Sequence, residues 1–270
     1  MITQNLHMHS TWDDGKNTAE EMILASHAAG LSSVGLSVHC PMPFQNDWEC
    51  PKERIPDYIA EVRALQAKYA GVIDVYLGVE WDVSAAEMDL SPFDYVIGSV
   101  HQLPLPGDPS VDFCAEETAR YIREYFGGDA DAAAEMYFAE YAKVAANAKV
   151  DIVGHLDLLT KFDEQRHFFN PAGSRYHAAA LQGMEKLVKA GKIFEVNTGA
   201  ISRGYRTTPY PSRELLCALC EMGGRVTVSA DAHHVSGVAC AFDRAERLVR
   251  ECGFREIFVL KGTEFVPQDI

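Results

Sequence analysis

The chain has 270 residues, 47% of them hydrophobic, enough to build the large core of one α/β barrel, a fold that commonly takes about 200–250 residues as a single domain. Its 39 acidic residues outweigh 24 basic ones, giving a formal charge of −15. A surface that acidic repels polyphosphate backbones, which argues against nucleic acid as a partner and for a small molecule.

The N-terminal segment has neither the basic nor the apolar region of a signal peptide, and no apolar run is long enough to span a membrane. Seven scattered cysteines fit a reducing cytoplasm. The first apolar run, Ile2–Leu6, reads as a buried strand leading into His7. Thr18-Ala-Glu-Glu21 is a capping-box signature, and the helix it opens places Met22, Ala25 and Ala29 on one face before Gly30 ends it. Val34–Val38 is a second strand, running into His39. A helix over Pro56–Tyr69 presents Ile59, Val62 and Leu65 together. Val72–Val79 is a very apolar strand ending on Glu80, and Tyr95–Val100 leads into His101.

Cys114–Phe126 and Ala130–Ala148 form a helical pair around Gly127-Gly128, longer than a crossover needs. Residues of about 113–148 are therefore expected to be an insertion over the barrel mouth, within one domain spanning 1–270. Val150–Gly154 runs into His155, a helix covers Ser174–Ala190, and Ile193–Val196 stops at Asn197. The helix Ser212–Met222 follows Pro211 with Ser212 as its cap, and its lone Cys217-x-x-Cys220 reads as a pair of buried apolar cysteines. Val226–Ala230 leads into Asp231. After a helix over Ala239–Cys252, Ile257–Leu260 reads as an extra strand with no ligand candidate. Alternating strands and helices imply a parallel sheet, which at this size closes into a barrel.

Six of the seven strands thus end on a residue that can bind a metal: His7, His39, Glu80, His101, His155 and Asp231. In a parallel barrel these positions converge on the C-terminal rim, where active sites lie. The pattern predicts a multinuclear metal centre. His7-Met8-His9 sends two imidazoles to one side of an extended segment, and Asp231-Ala232-His233 repeats that spacing at the last ligand-bearing strand. Burying an unpaired carboxylate at Glu80 would cost several kcal/mol, a penalty that bridging two cations removes. Asp14 is a further ligand candidate in the Asp13-Asp14-Gly15 turn, with Asp13 as its rival.

Mixed imidazole and carboxylate ligands suit zinc, manganese or iron better than magnesium. Three divalent ions against Glu80, Asp231 and Asp14 leave a positive excess of about three, which suits a phosphomonoester dianion. A bridging water of lowered pKa is then the expected nucleophile, with no Ser or Cys needed. His27, His167, His177 and His234 are expected to lie outside the centre.

These residues resemble the polymerase-and-histidinol-phosphatase (PHP) superfamily over essentially the whole chain. The motifs that carry the resemblance are His7-Met-His9-Ser, Ser37-Val-His39, Gly154-His155 and Ser229-Ala-Asp231-Ala-His233. The run from Glu195 to Pro211, with Asp94–His101 and His155-Leu-Asp-Leu, is similar to the monofunctional histidinol-phosphate phosphatases.

The resemblance implies a distorted (β/α)7 TIM-like barrel and a trinuclear centre that hydrolyses L-histidinol phosphate in histidine biosynthesis. It implies one metal on His7, His9, Glu80 and Asp231, and a second on Glu80, His101 and His155. Asp14, His39 and His233 would hold the third. Glu80, Asp231 and His233 would stand at the chemistry. Arg203 resembles the family's phosphate-binding arginine, and a guanidinium in a glycine-rich loop can grip phosphate bidentately; Lys161 and Arg206 are further candidates. Two departures stand out: Val38 sits where the family commonly has Asp, and the position near Asp14 varies between His and Asp. A broader phosphoesterase and a non-catalytic metal-binding scaffold are the competing readings. The oligomeric state is not set by the sequence, and a homodimer stays open.

Overall fold

The computed structural model describes residues 1–44 and 46–270. Seven parallel strands form one sheet in chain order. They are β1 (Gln4–Asn5), β2 (Ser33–His39), β3 (Asp74–Asp82), β4 (Tyr95–Ser99), β5 (Ile152–Val153), β6 (Ile193–Asn197) and β7 (Arg225–Ser229). The sheet curls into a barrel whose seam is closed by the residues just past its first and last strands. Met8 bridges Ala232 in parallel, the His9 N–H donates to the Ala232 carbonyl (2.9 Å), and the Ala232 N–H donates to that of His7 (3.2 Å). The Asn5 side chain reinforces the seam, accepting from the Ala230 N–H at 3.1 Å and donating to the Val238 carbonyl at 2.9 Å.

Parallel neighbours require crossovers, and helices supply them: α1 (Ala19–Ala28), α2 (Ile55–Lys68), α3 (Ala115–Phe126), α4 (Ala130–Ala146), α5 (Asp163–Arg166), α6 (Ser174–Lys189), α7 (Gly199–Ser202), α8 (Arg213–Glu221) and α9 (Phe242–Glu251). The Thr18–Glu21 capping box opens α1, but its buried face is Ala19, Met22, Ile23 and Ser26. Ala29, expected inside, is exposed, because the larger apolar area of Ile23 turns the helix toward its own side. On α2 the same effect favours Tyr58 over Ile59: its ring is buried with Val62 and Leu65, and its one hydroxyl hydrogen is shared between the carbonyls of Leu36 and Gly78.

Three further expectations are corrected. Val72 is an exposed turn residue, and β3 begins at Asp74 and runs past Glu80 to Asp82. Ser212 precedes α8, yet its hydroxyl makes no capping bond; its N–H donates to Asp157 instead. Cys217 and Cys220 are only half-buried, and Cys217 faces Cys252, 2.9 Å away. The extra strand is present as β8 (Glu256–Lys261), but it pairs antiparallel with β9 (Glu264–Asp269), outside the barrel sheet.

The barrel floor is apolar. Tyr95 lies across it, and β-carbons at Gly35 or Gly78 would fall 2.1–2.2 Å from its ring and hydroxyl, so both positions require glycine. Leu6, Tyr76, Ile97 and Ile152 pack around that ring, with Leu260 of β8 as the plug. α4 packs along α6 on the outside. No helix among the described residues is long and apolar enough to cross a membrane.

Candidate metal centre

Above this floor the inward side chains become polar. Glu80 extends from the buried part of β3, 1% exposed, into a ring of imidazoles. His155 Nε2 lies 2.9 Å from its carboxylate, His7 Nε2 and His39 Nδ1 3.1 Å, His101 Nε2 3.4 Å and His9 Nε2 3.5 Å. Asp231 faces the same cavity from the seam, 3.4 Å from His9 Nε2 and 3.7 Å from His7 Nε2. It has a left-handed backbone (φ 47°), a conformation that Asp tolerates better than most side chains. Asp14 Oδ1 lies 3.1 Å from His233 Nε2 and 3.8 Å from His39 Nε2. The turn that carries it is tied to the seam by the Lys16 N–H, which donates to the His233 carbonyl.

The donor atoms fall into three sets, each within 4.8 Å: His7, His9 and Asp231; His7, Glu80 and His155; and His9, Asp14, His39 and His233. All nine sequence-derived ligand candidates are therefore at the rim, with His101 at the edge of the Glu80 set rather than inside it.

Three further carboxylates stand behind the histidines. Glu195 accepts from His7 Nδ1 at 2.6 Å, Asp13 from His9 Nδ1 at 2.7 Å, and Asp82 from His101 Nδ1 at 3.0 Å. Each also pins a backbone N–H: Glu195 that of His155, Asp13 that of His39, Asp82 that of His101. A ring whose Nδ1–H is held by a carboxylate presents the Nε2 lone pair on its other side. Asp13 is thus the support and Asp14 faces the cavity. With Val38 before His39, it is Asp13 that anchors the backbone of that segment.

These atoms fit divalent cations. His7 Nε2, His9 Nε2, Asp14 Oδ1, Glu80 Oε2 and His155 Nδ1 are buried polar atoms with no hydrogen-bond partner. Orphans are rare in folded proteins, and these five belong to residues that meet at the rim. The cluster also attracts positive charge. Burial alone would lower the pKa of His9, yet Asp13 raises it to about 10. His7, likewise opposed by burial, is driven well above the ordinary imidazole range by Glu195, Glu80 and Asp231. The rim is more acidic than Glu80, Asp231 and Asp14 alone would make it. With Asp13, Asp82 and Glu195 included, six carboxylates would offset three divalent ions, leaving Arg203 as the net positive charge.

Arg203 lies against the seam, donating to the Asp231 carbonyl (2.8 Å) and to Asp231 Oδ2 (3.0 Å). Lys161 donates to the backbone and carboxylate of Asp112. Arg206 is buried, donating to Thr160 and Thr208 with its guanidinium 4.4 Å from the Tyr210 ring centre. That Tyr210 ring lies 6.5 Å from the His155 ring. Trp48 lies edge-on to His39 at 5.1 Å, a wall residue with no sequence signal. His27, His167 and His234 are exposed, and His177 is half-buried on α6, as expected of histidines outside the centre.

A seven-stranded barrel with this rim is a metal-binding (β/α) barrel. The PHP domain family matches residues 5–199, and the chain belongs to that family. It is 30% identical to a protein of Deinococcus radiodurans named probable histidinol-phosphatase, over 89% of each chain. It is 24% identical to the histidinol-phosphatase of Lactococcus lactis, over 95% of this chain and 93% of the other. A solved structure of histidinol phosphate phosphatase from Lactococcus lactis, complexed with zinc, L-histidinol and phosphate, covers 98% of both chains with a TM-score of 0.76 at 22% identity.

Proposed function

We propose that the chain hydrolyses L-histidinol phosphate to L-histidinol and phosphate at a centre of three divalent cations. The observation that carries this reading is the convergence of the His7, His9, His39, His101 and His155 rings on the Glu80 carboxylate. It is supported by relatives named histidinol-phosphatase that align over most of the chain. In this reading His7, His9, Glu80 and Asp231 hold one cation, Glu80, His101 and His155 the second, and Asp14, His39 and His233 the third. Zinc is favoured among zinc, manganese and iron, since the Lactococcus lactis structure holds it.

Bound cations supply Lewis acidity toward the phosphoryl oxygens and a water of lowered pKa. The protein's own groups do the rest. Glu195, Asp13 and Asp82 fix the ring orientations, and Arg203 receives phosphate oxygens on its planar fork. Glu80 and Asp231 keep their charge directed at the reacting centre. Lys161 and Arg206 are secondary candidates for holding the substrate. The segment leading into α3, at the start of the 113–148 stretch expected over the mouth, forms part of the mouth, a role supported by the neighbouring Asp112–Lys161 pair.

The test is phosphate release from L-histidinol phosphate, ribose 5-phosphate and AMP after metal removal and reconstitution. Histidinol phosphate also carries an ammonium and an imidazole, which suit an acidic protein. We expect kcat/KM for it to be at least about a hundredfold higher, a difference of roughly 2.7 kcal/mol. Equal efficiency on all three would leave a broad phosphoesterase.

A further inference from the structure

Helices α8 and α9 lie either side of β7 in the chain, and each buries an apolar face: Leu215, Leu216 and Leu219 on α8, Phe242, Ala245 and Val249 on α9. Cysteines meet beside that packing. Cys217 of α8 is half-buried, and its Sγ lies 2.9 Å from the Sγ of Cys252, the residue that caps the end of α9. Both are free thiols. Bonding them requires the sulfurs to close to about 2.05 Å, a small movement for two side chains already in contact. Cys220 borders the same corner, since a β-carbon at Gly253 would fall 3.3 Å from its Sγ.

The two thiols in contact are not equivalent. Cys217 keeps part of its surface open to small solutes, whereas Cys252 is buried and its thiol donates to the Arg213 carbonyl at 3.8 Å. Burial pushes the Cys252 thiol up to about 12, so it stays protonated and slow to react by itself. An accessible thiol touching a buried one has the arrangement of an attacking and a resolving cysteine.

We propose that Cys217 and Cys252 are a modification site, oxidised by peroxide to a disulfide that staples α8 to the end of α9. The Cys217 thiolate attacks one peroxide oxygen, the O–O bond breaks, and the leaving hydroxide takes up the thiol proton as water. The Cys252 sulfur then attacks the resulting sulfenic acid. The S–S bond forms, the S–O bond breaks, and hydroxide leaves with the Cys252 proton as a second water. The two thiols lose two electrons and the peroxide gains them. The cross-link joins positions 35 apart and encloses β7 with Asp231 and His233. A cross-link acts mainly by restricting the unfolded chain, so oxidation stabilises the fold through the stretch that closes the seam. In a reducing compartment such a bond is transient and forms under oxidant.

The test is treatment of the reduced, Zn2+-loaded chain with equimolar hydrogen peroxide, zinc having no redox chemistry of its own. Five of the seven thiols should remain, with a Cys217–Cys252 link in the peptide map. The thermal midpoint should rise by about 5 °C or more and return on adding dithiothreitol. Cys217→Ser and Cys252→Ser should each lose the link and the rise, whereas Cys220→Ser should behave as the native chain. Cys217 is half-buried, so its serine variant carries the comparison if Cys252→Ser does not fold. Six or seven remaining thiols, or a link made through another cysteine, overturns the proposal. So does a Cys217–Cys252 link that leaves the midpoint unchanged, or an equal rise in Cys217→Ser.

Discussion

Five imidazoles surround the Glu80 carboxylate on a strand whose preceding inward residues are Tyr76 and Gly78. Burial pushes that carboxyl up, and the neighbouring His7, His39 and His101 outweigh it, holding it well below the usual carboxylate range. Glu80→Gln keeps the shape and removes the charge, so bound cations and kcat should both fall by orders of magnitude. Full metal occupancy with near-native turnover would take Glu80 out of the centre. The cavity-facing candidates were legible because period-two spacing sends His7 with His9, and Asp231 with His233, to one side. The supports were not. Asp82 and Glu195 lie two residues from Glu80 and Asn197, so alternation points them inward, but only the closed barrel determines which histidine each meets. Asp13 and Asp14 are adjacent in one turn, and nothing local says which faces the cavity.

Among the elements, the strands and most helices were legible from apolar runs and breaker residues. Their ends and faces were not, because these depend on packing partners: Tyr58 wins its place on α2 through carbonyls of β2 and β3. The four-residue α5 had no signal at all. Its first residue, Asp163, is mostly buried, accepts from the Phe168 and Phe169 N–H groups, and has Oδ2 unpartnered. Burial raises its pKa to about 6, against the pull of Arg206. The folded chain therefore holds this proton more tightly than the unfolded one. Below about pH 4 both states are protonated and the contribution is full; it is lost as pH rises to about 6. Asp163→Asn should remove this loss, so its stability advantage over the native chain should grow between pH 4 and 6 and then level off. Urea unfolding across that range, at constant metal content, measures it. An advantage that is flat or shrinks with pH would refute the assignment.

For the whole molecule, the barrel class was legible from the order of elements, and the rim from the residues at the strand ends. What the sequence left open was how the barrel joins its own ends. Leu260 of β8 exchanges hydrogen bonds with the Gln4 side chain, so the segment read as an extra strand without a ligand candidate seals the floor beside β1. Seam and floor both connect the start of the chain to its last quarter, and the candidate ligands of the seam lie on the same segments.

That seam has a kinetic consequence. Its contacts join residues 225 apart, as between Asn5 and Ala230, whereas the rest of the sheet pairs each strand with the next in sequence. Closing so long a loop is entropically demanding, and pairings of that kind tend to form late. Cations shared between the His7–His9 and Asp231–His233 segments would act as a latch across the closed seam, after the rate-limiting climb is over. Interactions absent from the transition state slow unfolding and leave folding nearly unchanged. Stripping the cations with a chelator should therefore speed unfolding by roughly tenfold or more while refolding changes by less than about twofold, as read from the two arms of a denaturant chevron. If refolding slows instead, the seam is already closed in the folding nucleus.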